Sequence, residues 1–232
     1  MNPEVDKAVV LLSGGLDSTV TAAIAREDGM VLHCLTVAYG QRHAIEIDRA
    51  QAVARFLKAA EHLVIDVNLR SIGGSALTGQ SEVPKNRPSA ERAEGIPITY
   101  VPARNTIFLS LALAHAEARS ASWIYFGANV LDYSGYPDCR PEFIRAFDNV
   151  ARLGTSAGTA GKPIQVRAPL LLLSKADIVR RGADLGIPFE LTHSCYDPDV
   201  SGTACGQCDS CLIRQEGFRQ AGVVDPIRYA VP

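Results

Sequence analysis

No apolar run in the 232 residues approaches the roughly 18 that a membrane-spanning helix needs, which excludes a helical channel or transporter. Net charge is scarce as well. Lysine and arginine number 23 against 25 acidic residues, a formal charge of -2, so no global basic field exists to hold a polyanion and no direct nucleic-acid partner is expected. The first residues lack the pattern of a secretory leader, because Glu4 and Asp6 precede only a very short apolar stretch. There is no internal repeat and no low-complexity tract. What is present is ordinary for a soluble globular protein: 47% hydrophobic and 21% charged residues, in a length that suits one α/β domain plus a small appendage. Six cysteines occur, at 34, 139, 195, 205, 208 and 211. Four of them cluster near the C-terminus at metal-like spacing, which points to reduced thiols and a cytoplasmic location.

The chain is organised around Val9-Val10-Leu11-Leu12-Ser13-Gly14-Gly15-Leu16-Asp17-Ser18-Thr19. A short apolar run ending in a glycine pair reads as a buried strand, and apolar residues then recur at helical spacing through Val20, Ala23 and Ile24. Strand, small-residue turn and helix N-terminus together make an anion site. Glycines allow close approach, successive N–H groups point at one spot, and the helix dipole adds positive potential. The turn lacks the G-x4-G-K-[ST] spacing of a Walker loop and has no lysine. It is instead similar to the S-G-G-x-D-S pyrophosphate-binding loop of PP-loop ATP pyrophosphatases. An ordinary glycine turn is the alternative.

Patterning predicts strands over 7–12, 30–37, 62–67, 123–127 and 164–168, separated by helices over 18–27, 44–58, from about 104, from 141 to 153 and from 175 to near 186. Pro141 suits a first helical turn and Ser174 an N-cap. Five alternations imply a five-stranded parallel sheet with helices on both faces, and right-handed crossovers put every strand's carboxyl end on one edge. Tyr39-Gly40-Gln41-Arg42-His43 follows a strand, where ligands of open sheets bind. From 68 to 98 periodicity fails amid glycines and prolines, so an irregular loop, a candidate active-site lid, is expected there. Buried Cys34 reads as a structural thiol.

Beyond Pro188 the character changes, giving two expected units: 1–187, a nucleotide-binding α/β domain, and 188–232, a cysteine-bearing segment. Cys195, Cys205, Cys208 and Cys211 supply four thiolates, enough to close a tetrahedral structural zinc site. An iron–sulfur cluster is the competing assignment, but nothing else in the chain suggests electron transfer. With four cysteines available, His193 is expected to line a pocket or support the site and not to ligate.

These motifs, in this order, resemble the QueC family nearly end to end. Besides S-G-G-L-D-S-T and the cysteine cluster, the resemblance rests on Tyr39 to His43, Val101-Pro102-Ala103-Arg104-Asn105, Gly127-Ala128-Asn129, Asp132 through Phe143, Ala168-Pro169-Leu170 and Ser174-Lys175. His193 departs from the tryptophan that many relatives carry. The resemblance implies a fold like the adenine nucleotide alpha-hydrolases. It also implies an ATP-dependent ligase, homodimeric and acting on small molecules, that converts 7-carboxy-7-deazaguanine and ammonium to the nitrile preQ0 for queuosine-type nucleosides. On that basis Leu12, Ser13, Gly14, Gly15, Leu16, Asp17, Ser18 and Thr19 would cradle ATP with magnesium. Of the catalytic candidates Asp17, Arg104 and Lys175, the two cations would face the phosphates or the substrate carboxylate, and Asp17 would sit near the magnesium or order the loop. Asp138, or else Asp132, would accept from the donor edge of the base, and Tyr136 would stack on it. Ser18 and Asp17 have capping as an alternative role, Cys139 reads as packing, and His43 could shuttle protons. Rival readings are a tRNA thiolase, an NAD- or GMP-synthetase-like amidation, and a zinc-stabilised nucleotide sensor without turnover.

Overall fold

The computed structural model describes residues 6–41, 45–92, 95–131 and 135–230. His43 and Asp132 therefore lie outside the described residues. The sheet has five parallel strands, β1 (Lys7–Leu11), β2 (Val31–Ala38), β3 (Glu61–Asp66), β4 (Trp123–Tyr125) and β5 (Gln165–Arg167). Their order across the sheet is β3-β2-β1-β4-β5. Six principal helices accompany them: α1 (Leu16–Glu27), α2 (Ile45–Phe56), α3 (Arg104–Arg119), α4 (Pro141–Gly154), α5 (Lys175–Asp184) and α6 (Asp209–Ala221).

Alternation along β1 explains the layers. Ala8, Val10 and Leu12 point into one core with residues of α1, α2, α5 and α6, while Val9 and Leu11 point into the other with α3 and α4. Both faces are covered, so the strand reads as a continuous apolar run and not as an alternating one. Reversal of strand order between β1 and β4 leaves a crevice at the carboxyl ends of those two central strands, the topological switch point at which open α/β sheets bind ligands.

Two expectations need correction. Residues 68–98 are largely irregular, as expected, but none of the described ones lines the main cavity, so among them no lid covers it. They strap the cysteine segment instead. Leu69, Leu77 and Val83 are buried in one apolar cluster with Cys195, Cys205, Cys208 and Cys211, Lys85 pairs with Asp197 at 3.0 Å, and Arg87 grips Asp209. The region after Pro188 also contains a helix the pattern did not announce, α6, which packs along α5.

Candidate functional site

The Gly14-Gly15 turn joins β1 to α1 at the crevice. Gly14 has φ +79°, and a Cβ there would lie 2.5 Å from the carbonyl oxygen of Glu46 and 2.7 Å from the nitrogen of Ala50. Only glycine lets the turn seat against α2. Helix α1 starts at Leu16, two residues earlier than its apolar periodicity indicates, with Gly15 as N-cap and no side-chain cap bond. Ser18 and Asp17 are thus first-turn residues and not caps. Ser18 Oγ accepts from the Ser13 N–H (3.1 Å), lies 3.0 Å from Ser13 Oγ and donates to the Gly15 carbonyl (3.1 Å). Thr19 Oγ1 also donates to that carbonyl, at 2.8 Å. The hydroxyls hold the turn's shape, and the first-turn N–H groups, which have no intrahelical acceptors, belong to residues that line the crevice.

A cavity of about 220 Å³ opens from this turn. On its wall Lys175 Nζ lies 2.6 Å from Asp17 Oδ1, with Lys175 only 9% exposed. The first residue of α5 thereby meets the first turn of α1. Two contacts aim the lysine. Asn129, following β4, donates 2.7 Å bonds to the carbonyls of Leu170 and Leu173, fixing the turn before α5. Gly217 of α6 touches the Lys175 stem so closely that a Cβ would collide with it. Arg104, at the start of α3, lines the same cavity, its guanidinium 5.8 Å from the ring centre of Tyr39 and 5.9 Å from that of Phe108. Burial works against its charge, but Tyr39, Tyr136, Tyr196 and Cys139 around it hold its pKa above the usual arginine value. Glu46 of α2 is also on the wall; burial pushes its carboxyl up to about 7, and Arg104 only partly offsets this. Sequence reasoning missed Glu46, because nothing in the pattern of α2 marks which of its acids faces inward.

Tyr136 is on the wall and buried, its hydroxyl 3.1 Å from Thr99 Oγ1 and its ring tilted against Tyr100. Cys139 lines the cavity, and burial raises its thiol to about 12, which suits packing and not nucleophilic work. Asp138 is buried behind the start of α3. It does not line the cavity; its Oδ2 accepts from the Asn105 N–H at 3.0 Å and its carbonyl from Asn105 Nδ2 at 3.3 Å, which supports the start of α3, while its Oδ1 is buried with no hydrogen-bond partner among the described residues.

The four cysteines of the C-terminal segment are buried, with sulfurs mutually within 4.8 Å. Cys205 and Cys211 sulfurs are 4.0 Å apart, against about 3.8 Å between thiolates on a tetrahedral zinc at a Zn–S distance near 2.3 Å. Backbone N–H groups converge on the sulfurs: Cys205 and Asp197 donate to Cys195, Gln207 and Cys208 to Cys205, all within 3.2–3.4 Å. Amides aimed at sulfur stabilise thiolate, so this donor set fits a closed metal site of four cysteine ligands. The segment is tied to the glycine turn. His193 N–H donates to the Gly14 carbonyl at 2.9 Å, and Ser194 Oγ accepts from the Leu16 N–H at 3.4 Å. His193 lines the cavity, as expected, and so do Ser210 and Arg214 of α6, which sequence reasoning did not reach.

Comparison with known proteins agrees with this geometry. The family model described as "Queuosine biosynthesis protein QueC" matches residues 7–222. The chain is 57% identical over 225 residues to the 7-cyano-7-deazaguanine synthase of Myxococcus xanthus (strain DK1622), covering 97% of this chain and 98% of the relative. Identity is also 57% over 228 residues to that of Anaeromyxobacter dehalogenans (strain 2CP-C), covering 98% and 97%. Among solved structures it resembles an NMN synthetase from Francisella tularensis (TM-score 0.50, 17% identity, 97% of this chain and 80% of that one). It also resembles a 4-thiouridine synthetase in an RNA complex with bound ATP (TM-score 0.51, 20% identity, 94% and 50%). These last two likenesses concern the fold alone. With the glycine turn, the crevice and the cysteine cluster in place, and a match over nearly its whole length, the chain belongs to the QueC family.

Proposed function

We propose that this protein is an ATP-dependent 7-cyano-7-deazaguanine synthase, making preQ0 from 7-carboxy-7-deazaguanine and ammonia. A carboxylate is a poor electrophile because its leaving group would be oxide. Attack of the carboxylate oxygen on the α-phosphorus of ATP breaks the α–β bridge, releases pyrophosphate and gives an acyl adenylate. Ammonia displaces AMP, which departs with one substrate oxygen, and leaves the amide. A second ATP adenylates the amide oxygen, and loss of AMP and a proton gives the nitrile.

The observation that carries this reading is the junction of three anion-stabilising elements on one cavity: the first-turn amides of α1, the Asp17–Lys175 pair and Arg104. Leu12 to Thr19 would hold the triphosphate, with Asp17 beside the magnesium that accompanies it. Lys175 and Arg104 would neutralise charge building on the α-phosphate and on the leaving pyrophosphate. Tyr136 supports a stacking wall for the heterocycle. Asp138, or else Asp132, would accept from the donor edge of the base, and Glu46, the acid besides Asp17 on the described wall, is a further candidate for that role. The cysteine cluster would hold one structural zinc, homodimer formation is part of the same reading, and reduced thiols fit a cytoplasmic enzyme. Near-neutral charge argues against a nucleic-acid substrate.

The test follows AMP and pyrophosphate by chromatography. Release of both should require carboxydeazaguanine and ammonium together, at two AMP per nitrile. Lys175→Met should lower kcat by about 10²–10³ with fold retained, the scale of losing one preorganised electrostatic donor. Nucleotide cleavage indifferent to the deazaguanine acid would overturn the assignment.

A further inference from the structure

At the amino ends of the strands, away from the cavity, three metal-capable side chains meet. His33 on β2 and Glu61 on β3 are directly paired in register, so they share one face of the sheet. His115 reaches them from α3. His33 Nδ1 lies 3.0 Å and His115 Nε2 3.6 Å from Glu61 Oε2, and the three donor atoms are mutually within 4.8 Å. We propose that His33, His115 and Glu61 form a second metal site, for a zinc-class divalent cation, with the Arg119 guanidinium as the cation the metal displaces.

The spacing suits such an ion. Nitrogen and oxygen ligands on tetrahedral zinc, at roughly 2.0–2.1 Å from the metal, stand about 3.3–3.4 Å apart, between the two distances observed. His115 is 7% exposed, and its Nε2 has no hydrogen-bond partner among the described residues although it faces the carboxylate. A buried polar atom left in that state calls for a ligand. Two imidazoles and one carboxylate, with a fourth position for water, are a donor set that borderline metals accept.

Arg119 now holds the carboxylate. It donates from Nε at 2.7 Å and from Nη2 at 2.6 Å, and these bonds, with that from His33, keep Glu61 ionised down to about pH 2. Arg119 sits one turn beyond His115 on α3, and its side chain is 44% exposed. It can therefore rotate into water when a doubly charged ion takes its place. The ion would then pin β2, edge strand β3 and α3 together, remote from the reacting atoms.

The experiment titrates Co2+ into the full chain whose cysteine cluster already carries one equivalent of zinc. Visible d–d absorption without thiolate charge transfer distinguishes nitrogen–oxygen ligation from the cysteines, and elemental analysis counts ions. One further Co2+ per chain is expected. His115→Gln should weaken it at least about tenfold, and Arg119→Ala should tighten it by about tenfold, a scale typical of groups bordering a metal site. Neither substitution should change AMP release. Absence of the additional Co2+ in both the unmodified chain and folded Arg119→Ala overturns the proposal, as does unchanged affinity in His115→Gln. Should His115→Gln not fold, His33→Gln is read by the same criterion.

Discussion

The glycine turn and the cysteine segment build the same wall by opposite means. In the turn the main chain does the work: a left-handed glycine, a helix N-terminus and two serines that bond each other define where an anion sits. In the cysteine segment side chains are the fixed points, and the backbone between Cys195 and Cys211 is wound to aim amides at sulfur. The turn inherits its rigidity from the sheet, since β1 is the central strand. Among the described residues the segment has no strand in the sheet; its apolar anchors are the cluster around its cysteines and Phe189 and Phe218, which enter the core beneath α1 and α5. Its order comes from that packing, from the strap at 83–87 and from α6, and an ion on the four cysteines would add to it. Yet it carries His193, Ser194, Ser210 and Arg214 to the cavity, so a site resting on rigid scaffold on one side would, with an ion on the cysteines, lean on that ion on the other.

Breaking the metal side should have the larger effect. Apparent binding energies of structural zinc run to about 10–16 kcal/mol, and much of that is folding energy for a segment this small. Cys208→Ser, or exhaustive chelation, is expected to remove the ion, disorder the segment and release both bonds to the turn, from His193 and Ser194. AMP formation should fall more than about 100-fold, because the Lys175 stem also loses its packing against Gly217. Chelated protein should still show the α/β domain's far-ultraviolet dichroism. Full activity after removal of the ion, verified by elemental analysis, would mean that the turn needs no brace.

On the other side of the comparison, Gly14→Ala tests the main chain alone. Left-handed backbone costs a non-glycine residue roughly 1–2 kcal/mol, and the added methyl also meets α2 backbone at Glu46 and Ala50. The expected result is a lowered melting temperature and ATP affinity reduced by about tenfold or more, with metal content unchanged at one ion on the cysteines. A fall in metal content would show that the two halves fold as one unit.

The contrast also explains what the sequence made legible. A main-chain site needs small residues at fixed offsets, so Ser13 to Ser18 announce it locally, and Lys175 follows from its place after a strand and a serine cap, which the 3.2 Å bond from the Asp177 N–H to Ser174 Oγ bears out. Cysteine ligands announce themselves by type and spacing. What stays hidden is anything set by packing between distant segments. Helix α6 is masked in the sequence although Cys211, Arg214 and Phe218 are buried at helical spacing and Gly222 closes it with φ +72°, because metal-like spacing dominates that stretch. The second tie of Asp138 is likewise hidden, because its chain neighbours place it in an acid-rich turn whereas its partner, Asn105, is 33 residues away. Residues 68–98 read as a lid because looseness of pattern does not reveal what a loop lies against.

The smallest effect belongs to the joint itself. Ser194 Oγ accepts the Leu16 N–H at 3.4 Å, at the long end of hydrogen bonding, and that donor stands at a helix start facing the crevice. A neutral hydrogen bond contributes about 0.5–1.5 kcal/mol net, and one this long belongs at the bottom of that range. Ser194→Ala should therefore raise the apparent Kd for ATP only about twofold, leaving kcat, metal content and melting temperature nearly unchanged. The 2.9 Å bond from His193 N–H to the Gly14 carbonyl survives the substitution, because it is main chain on both sides. If Ser194→Ala instead weakened ATP tenfold, the hydroxyl itself would be touching nucleotide, and the segment would be a ligand-binding element in its own right and more than a brace for the turn.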